Sequence, residues 1–120
     1  MYRRRYLATL TWTVPLAGCT GEPGDPITML AVNEDDSTHS VTVWANQGRR
    51  LRVANTVDVA SKELEQLGEM PWKTGVYRVT VRVDDELVLA EEFHSEEWFN
   101  QLDVFIANDG TVELHRGKAA

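Results

Sequence analysis

The chain has 120 residues, 42% of them hydrophobic, which is enough for one compact core and favours a single domain. Its formal net charge is −7, which argues against nucleic acid as a partner, because phosphate binding needs a basic stripe that releases counterions. One cysteine is present, so an intrachain disulfide is excluded.

The N-terminus has the pattern of an export signal. Arg3, Arg4 and Arg5 form a basic n-region, and residues 6–17 form a mostly apolar stretch of the length expected of an h-region. A membrane-spanning helix needs about twenty apolar residues, so this stretch is too short to be one. We therefore predict that residues 1–18 are a cleaved signal peptide, which leaves a mature part with a formal charge of −10.

The order of residues in this segment resembles a twin-arginine export signal, in which paired arginines precede a variable residue, an aromatic residue and a leucine. Arg3 and Arg4 supply the pair, Tyr6 the aromatic residue and Leu7 the leucine. The resemblance implies export of an already folded protein. An arginine-rich signal for the general secretory route is the alternative, and the sequence leaves both open.

Leu16, Ala17, Gly18 and Cys19 resemble a lipobox, in which small residues let a peptidase cleave before a cysteine that receives a diacylglyceryl group. A buried structural cysteine is the alternative, but the Gly- and Pro-rich residues that follow do not suit a core. We predict lipidation of Cys19, with residues 19–26 as a short tether. Each buried acyl methylene contributes about 0.8 kcal/mol, so the acyl chains would hold the protein at the outer membrane surface.

Residues 27–117 read as an antiparallel β-structure, because apolar and polar residues alternate and Gly, Asn and Asp break the alternation at short intervals. The clearest strand is Arg50–Val59, whose predicted inner face holds Leu51, Val53, Val57 and Val59. Residues 39–45 are rich in β-branched side chains. We expect these two segments to pair through a turn at Asn46-Gln47-Gly48.

A second hairpin is predicted over residues 76–93, with its turn at 84–86. A two-residue turn would place Val81 opposite Val88, and a three-residue turn would place it opposite Leu89. We favour the three-residue turn because it gathers the large apolar side chains on one face.

The third hairpin is the best specified, since Asn108-Asp109-Gly110 is a strong turn signal between two alternating segments. Together with residues 27–33, these segments give about seven strands. Residues 61–67 are predicted to form a short helical turn or an edge strand. Ser95, followed by two glutamates, has the pattern of a helix N-cap.

The segment Gly75-Val76-Tyr77-Arg78-Val79-Thr80-Val81 is similar to the strand of immunoglobulin-like domains that carries the tyrosine corner, and Tyr77 is the matching tyrosine. The resemblance implies an immunoglobulin-like antiparallel β-sandwich over residues 27–117. It departs from antibody domains at Val79, which stands where their second disulfide cysteine would be.

Over nearly its whole length the chain resembles small immunoglobulin-like lipoproteins of halophilic archaea. The resemblance is carried by the paired arginines, the Leu-Ala-Gly-Cys segment, the Gly/Pro tether, the tyrosine-corner strand and the final Asn-Asp-Gly hairpin. The composition, with 19 acids and only three lysines, also resembles that of proteins from salt-loving archaea. This resemblance implies a cell-surface location and brings no catalytic residues with it.

The sequence contains no strong catalytic or metal-binding motif. His39, His94 and His115 lack zinc-site spacing, and an acylated Cys19 cannot serve as a copper ligand or a nucleophile. Acidic runs at residues 34–36 and 91–97 could hold a cation weakly, but solvated acidic loops explain them better. We therefore expect no cofactor, no metal site and no enzymatic activity.

Trp44 is out of phase with Val41 and Val43, so we expect it on an outer sheet face as a contact surface. The function predicted from the sequence is a lipid-anchored, non-catalytic binding or structural module that contacts another protein or an envelope polymer. The alternative is an accessory metal- or solute-binding subunit of a membrane transporter or redox complex, which would need a concave pocket. The third and least favoured function is that of a hydrolase.

Overall fold

The computed structural model describes residues 26–118, and these residues form an immunoglobulin-like β-sandwich of two four-stranded sheets. The eight strands are β1 (Ile27–Asn33), β2 (His39–Gln47), β3 (Arg50–Val59), β4 (Leu64–Met70), β5 (Gly75–Val83), β6 (Glu86–Ser95), β7 (Gln101–Ile106) and β8 (Val112–Gly117). The predicted signal peptide, with Arg3, Arg4, Tyr6 and Leu7, and the lipobox Leu16, Ala17, Gly18 and Cys19 lie outside the described residues.

One sheet has the strand order β4-β1-β7-β8 and the other the order β3-β2-β5-β6; we call them the β1 sheet and the β2 sheet. Strand β1 pairs antiparallel with β4 and parallel with β7. The remaining neighbouring strands pair antiparallel. The chain thus crosses between the sheets after β1, β3, β4 and β6.

The core lies between the sheets and follows directly from the alternation of apolar residues. Fully buried rows come from β1, β2, β5 and β7, with side chains such as Met29, Val43, Val81 and Val104 at the centre. Burying a side chain of this size stabilises the fold by roughly 1.5–3 kcal/mol, so these rows supply the main driving force for folding.

The β2–β3 hairpin forms as predicted, but its turn consists of residues 48–49, and Asn46 and Gln47 lie in β2. Gln47 pairs with Arg50, and Gly48 adopts a φ of 61° in the turn between them. The register shifts between Ala45 and Asn46, which places Leu51 opposite Asn46. Leu51 is therefore 55% exposed, and its predicted place on the inner face was wrong.

The β5–β6 hairpin has the two-residue turn of one predicted register and the Val81–Leu89 pairing of the other. Its turn has two residues, Asp84 and Asp85, with φ of 53° and 67°, the positive values that a type I′ turn requires. An extra residue in β6 then shifts the register, and Val81 faces Leu89 as the three-residue turn predicts. The predicted pairing of Val81 with Leu89 is confirmed, whereas the favoured turn was wrong: Val83 pairs with Glu86 and not with Leu87, because a bulge in β6 absorbs the difference.

The predicted third hairpin is confirmed: Val104 pairs with Leu114, and Gly110 has a φ of 88° in the turn. Of the helical turn and the edge strand that the sequence allows after residue 61, the structure has the edge strand, β4, which brings the count to eight. No helix begins at Ser95 in the described part of the chain. That residue ends β6, and its hydroxyl donates a hydrogen bond to the carbonyl of Glu97 at 2.8 Å.

The loops collect at two ends of the sandwich. The end at which β1 begins carries Pro26, the loops 48–49, 71–74 and 96–100, and residue 118; we call it the tether end. The end at which β1 finishes carries the loops 34–38, 60–63, 84–85 and 107–111; we call it the distal end. Gln47, the last residue of β2, donates a hydrogen bond from Nε2 to the carbonyl of Pro71, in the loop after β4, at 2.7 Å. The ends of β2 and β4, which belong to different sheets, therefore lie together.

Asn33, the last residue of β1, is completely buried at the distal end. Its side-chain amide donates to the carbonyls of Ser37 at 2.8 Å and Val59 at 3.0 Å, while its side-chain oxygen accepts from the backbone N–H of Asp35 at 2.9 Å. One amide therefore joins β1, the loop after it and the end of β3.

Replacing Asn33 with alanine should lower the free energy of unfolding by about 2–4 kcal/mol, because buried carbonyls and an N–H lose their partners. Chemical denaturation measures the effect. The matched control is Asn108→Ala in the exposed β7–β8 turn, which should change stability by under about 0.5 kcal/mol. Equal effects of the two substitutions would contradict the role given to Asn33.

Candidate functional site

Tyr77 lies at the tether end of β5 and is completely buried. Its hydroxyl donates to the carbonyl of Lys73 at 2.6 Å and accepts from the backbone N–H of the same residue at 2.9 Å. The ring stacks on Phe93 and meets Phe99 edge-on, each with a centroid distance of 5.3 Å. Tyr77 thus fixes the β4–β5 connection against the core and leaves no reactive group for chemistry.

Trp44 lies on the outer face of the β2 sheet, in a row that runs across all four strands. Ala54 of β3 and Thr80 of β5 flank it directly, and Ala90 of β6 lies beyond Thr80. Trp44 is half-buried, whereas Ala54 and Ala90 are exposed. Because its neighbours are small, the indole is the largest side chain in the middle of this face.

Polar side chains surround the indole on both sides along the strands. Thr42 and Thr56 share a hydrogen bond between their hydroxyls at 2.8 Å, and Arg78 forms an ion pair with Glu92 at 3.1 Å. We call the outer surface formed by these four residues, Trp44 and its small neighbours the Trp44 face. A half-exposed aromatic side chain with a polar rim is the usual composition of an interaction surface.

The sandwich is open along the edge between β6 and β8. An open groove of about 740 Å³ runs there, lined by His94, Trp98, Leu114, Arg116 and Lys118 among others. Arg116 covers the Phe93 ring, with its guanidinium carbon 4.4 Å from the ring centroid. His94 is exposed on β6, and Trp98 is half-buried in the loop that follows.

An unexpected polar cluster lies at the distal end, around His39. The imidazole Nδ1 lies 2.6 Å from a carboxylate oxygen of Asp84, and Nε2 lies 2.8 Å from a carboxylate oxygen of Asp35. The second Asp84 oxygen accepts the backbone N–H of Ser40 at 2.9 Å. We call these three side chains the His39 clasp, because they join the β1–β2 loop, β2 and the β5–β6 turn.

Both ring nitrogens of His39 face carboxylates, an arrangement that only the doubly protonated imidazolium satisfies with two donors. The hydrogen bonds to Asp35 and Asp84 accordingly raise the pKa of His39. The hydrogen bond from His39 lowers the pKa of Asp35, while the Ser40 backbone N–H, followed by His39, lowers that of Asp84. The clasp is therefore a charge-assisted structural contact.

The two acidic runs noted in the sequence do not converge. Within residues 26–118 no three His, Cys, Asp or Glu side chains are arranged to hold a metal ion. Glu91, Glu92, Glu96 and Glu97 are each exposed along β6 and its following loop. The same part of the chain contains no helix of sufficient length and apolarity to cross a membrane.

Comparison with models of known protein families assigns the chain to one of them. A family model described as the halobacterial Ig-like domain matches residues 37–120. The chain belongs to this family. No curated protein matches the sequence.

The halobacterial Ig-like domain assignment agrees with the sandwich described above and with the resemblance to halophilic proteins seen in the sequence. A domain of this type fits a non-catalytic binding or structural module. The matched range begins after β1, yet β1 supplies the pairing partners of β4 and β7. The folded unit in this chain therefore includes residues that precede the family match.

The His39 clasp makes stability depend on pH. Because the pKa of His39 in the folded state is raised above its ordinary value of 6.5, its contribution is complete below about pH 6.5 and is lost as the pH rises through the folded-state pKa. His39→Gln should remove this decline and cost about 1 kcal/mol at pH 6. Denaturation between pH 5.5 and about 8.5 measures both effects.

His94→Gln is the matched control, because His94 is exposed and lies at the other end of β6 from the Asp84 turn. It should retain the decline of the parent protein. The interpretation of the clasp is wrong if the His39 and His94 variants show the same pH profile.

Proposed function

We propose that this protein is a lipid-anchored, extracytoplasmic lipoprotein whose halobacterial Ig-like domain is a non-catalytic binding module at the cell surface. The Trp44 face is its contact surface in this proposal, and the partner is another protein or an envelope polymer. The observation that carries the binding role is the position of Trp44 at the centre of an outer sheet face, away from the filled core.

The anchor is supported by the sequence before the domain. Leu16, Ala17 and Gly18 precede the chain's single cysteine at the end of an apolar stretch of signal-peptide length. Six residues then separate Cys19 from Pro26, where the described domain begins. A diacylglyceryl group at Cys19 would thus keep the domain close to the outer membrane surface.

The binding role is supported by the contrast between Trp44 and the aromatic side chains of the core cluster. Tyr77 and Phe99 are buried, and Phe93 packs against Tyr77 beneath Arg116, so these rings have structural roles. Trp44 lies on the opposite side of its sheet from that cluster, where it adds nothing to the core. A partly exposed tryptophan still has a large apolar ring surface that a partner can cover, which makes it a suitable anchor.

The anchor is tested by Cys19→Ser in the native host. The parent protein should fractionate with membranes and carry a diacylglyceryl mass at its mature N-terminus. The variant should appear in the medium or remain unprocessed, because the acyl acceptor is lost. Unchanged membrane fractionation of Cys19→Ser, or an intact mass that begins at Met1 in the parent, would exclude the proposed anchor.

The contact surface is tested with a photo-crosslinking amino acid at Ala54, beside Trp44, in intact cells. The matched control places the same amino acid at Gln66, an exposed position on β4 of the other sheet. Crosslinks from position 54 should exceed those from position 66 and should fall about tenfold with Trp44→Ala, as expected for a central anchor. Equal crosslinking from both positions, or no effect of Trp44→Ala, would exclude the Trp44 face.

A further inference from the structure

The charges of the domain are divided between its two ends. The distal loops contain seven acids and one lysine, Lys62: the acids are Glu34, Asp35, Asp36, Glu63, Asp84, Asp85 and Asp109. The tether-end loops and residue 118 contain three cations, Arg49, Lys73 and Lys118, and two acids, Glu96 and Glu97. On the strands beside these loops, Arg50 and Arg116 add two more cations and Glu69 adds one more acid.

The cations at the two ends also differ in their partners. Away from the tether end, Lys62 lies 3.6 Å from Asp36, and Arg82 donates to the carbonyl of Asp85 at 3.1 Å. The five cations of the tether end are exposed, and across residues 26–118 none of them has a carboxylate within ion-pair distance. The tether end therefore presents exposed cations that are not ion-paired within the domain.

The same end is where the chain enters the domain. The backbone N–H of Thr28 donates to the carbonyl of Asn100 at 2.9 Å, and that of Asn100 donates to the carbonyl of Gly117 at 3.2 Å. Pro26 thus lies at the same end of the sandwich as the 96–100 loop and the end of β8. Six intervening residues can span at most about 25 Å, so a membrane anchor at Cys19 keeps this end close to the surface.

We propose that the tether end docks on the anionic lipid headgroups of the membrane and that the distal end is thereby turned outward. This inference rests on the proposed anchor at Cys19. Exposed arginine and lysine side chains contact headgroup phosphates directly. The distal carboxylates are repelled by the same surface, which favours one orientation over the reverse.

Salt determines the range of this interaction. The Debye length is about 3 Å in 1 M salt, so at high salt only direct contacts between cations and phosphates contribute. Two acids of the tether, Glu22 and Asp25, oppose the attraction. The docking therefore depends on Arg49, Arg50, Lys73 and Lys118 reaching the phosphates directly, since Arg116 covers the Phe93 ring, and it should respond to the removal of individual side chains.

The test uses the mature chain with Cys19→Ser, which has no acyl anchor but keeps the surface. Binding is measured by flotation with phosphatidylglycerol vesicles and with phosphatidylcholine vesicles, at the lowest NaCl concentration at which circular dichroism shows folded β-structure. We expect binding to phosphatidylglycerol alone. Arg49→Gln with Lys118→Gln should reduce the partition coefficient about tenfold.

The matched control replaces one arginine and one lysine elsewhere, Arg82→Gln with Lys62→Gln, and should leave the partition coefficient within about twofold of the parent. Equal losses in the two double variants would show an effect of net charge alone and overturn the proposal. Absence of binding by the parent Cys19→Ser chain would also overturn it. Neither result bears on the anchor, which the fractionation of the Cys19→Ser variant decides separately.

Discussion

The insertion of β1 between β4 and β7 is the constraint on which the rest of the structure depends. Ile27, Met29, Ala31 and Asn33 all point inward and are completely buried, so β1 fills the middle of one sheet as well as pairing its neighbours. Its first residues fix the tether end through Asn100, and its last residue fixes the distal loops through the Asn33 side chain. A single strand thus sets both the core and the positions of the two ends.

Much of this architecture could be predicted from residue alternation. The inner rows of β2, β5 and β7 follow a strict period of two, because each is a central strand with one face on the core. Strand β4 could not be resolved in the same way. Its sequence, Leu-Glu-Gln-Leu-Gly-Glu-Met, spaces its buried side chains irregularly because the pairing with β1 shifts register between Met29 and Leu30.

The surface features were predictable to different degrees, and the difference has a physical cause. The outward position of Trp44 follows from phase alone, since Val43 and Ala45 beside it point inward. The His39 clasp joins Asp35 and Asp84, which are 49 positions apart, and no local pattern connects them. The division of charge between the ends is equally non-local, because the tether-end cations come from separate loops that only the strand topology brings together.

The open edge between β6 and β8 is protected against pairing with a strand of another chain. Unpaired strand edges invite pairing with other chains, and inward-pointing charges are one way that natural sheets prevent it. Glu91 of β6 and Arg116 of β8 occupy inward-facing positions, since they alternate with outward-facing neighbours in phase with Leu89 and Leu114. Such charges oppose strand addition at this edge, so the two proposed contacts, the sheet face around Trp44 and the tether end, lie on other surfaces of the domain.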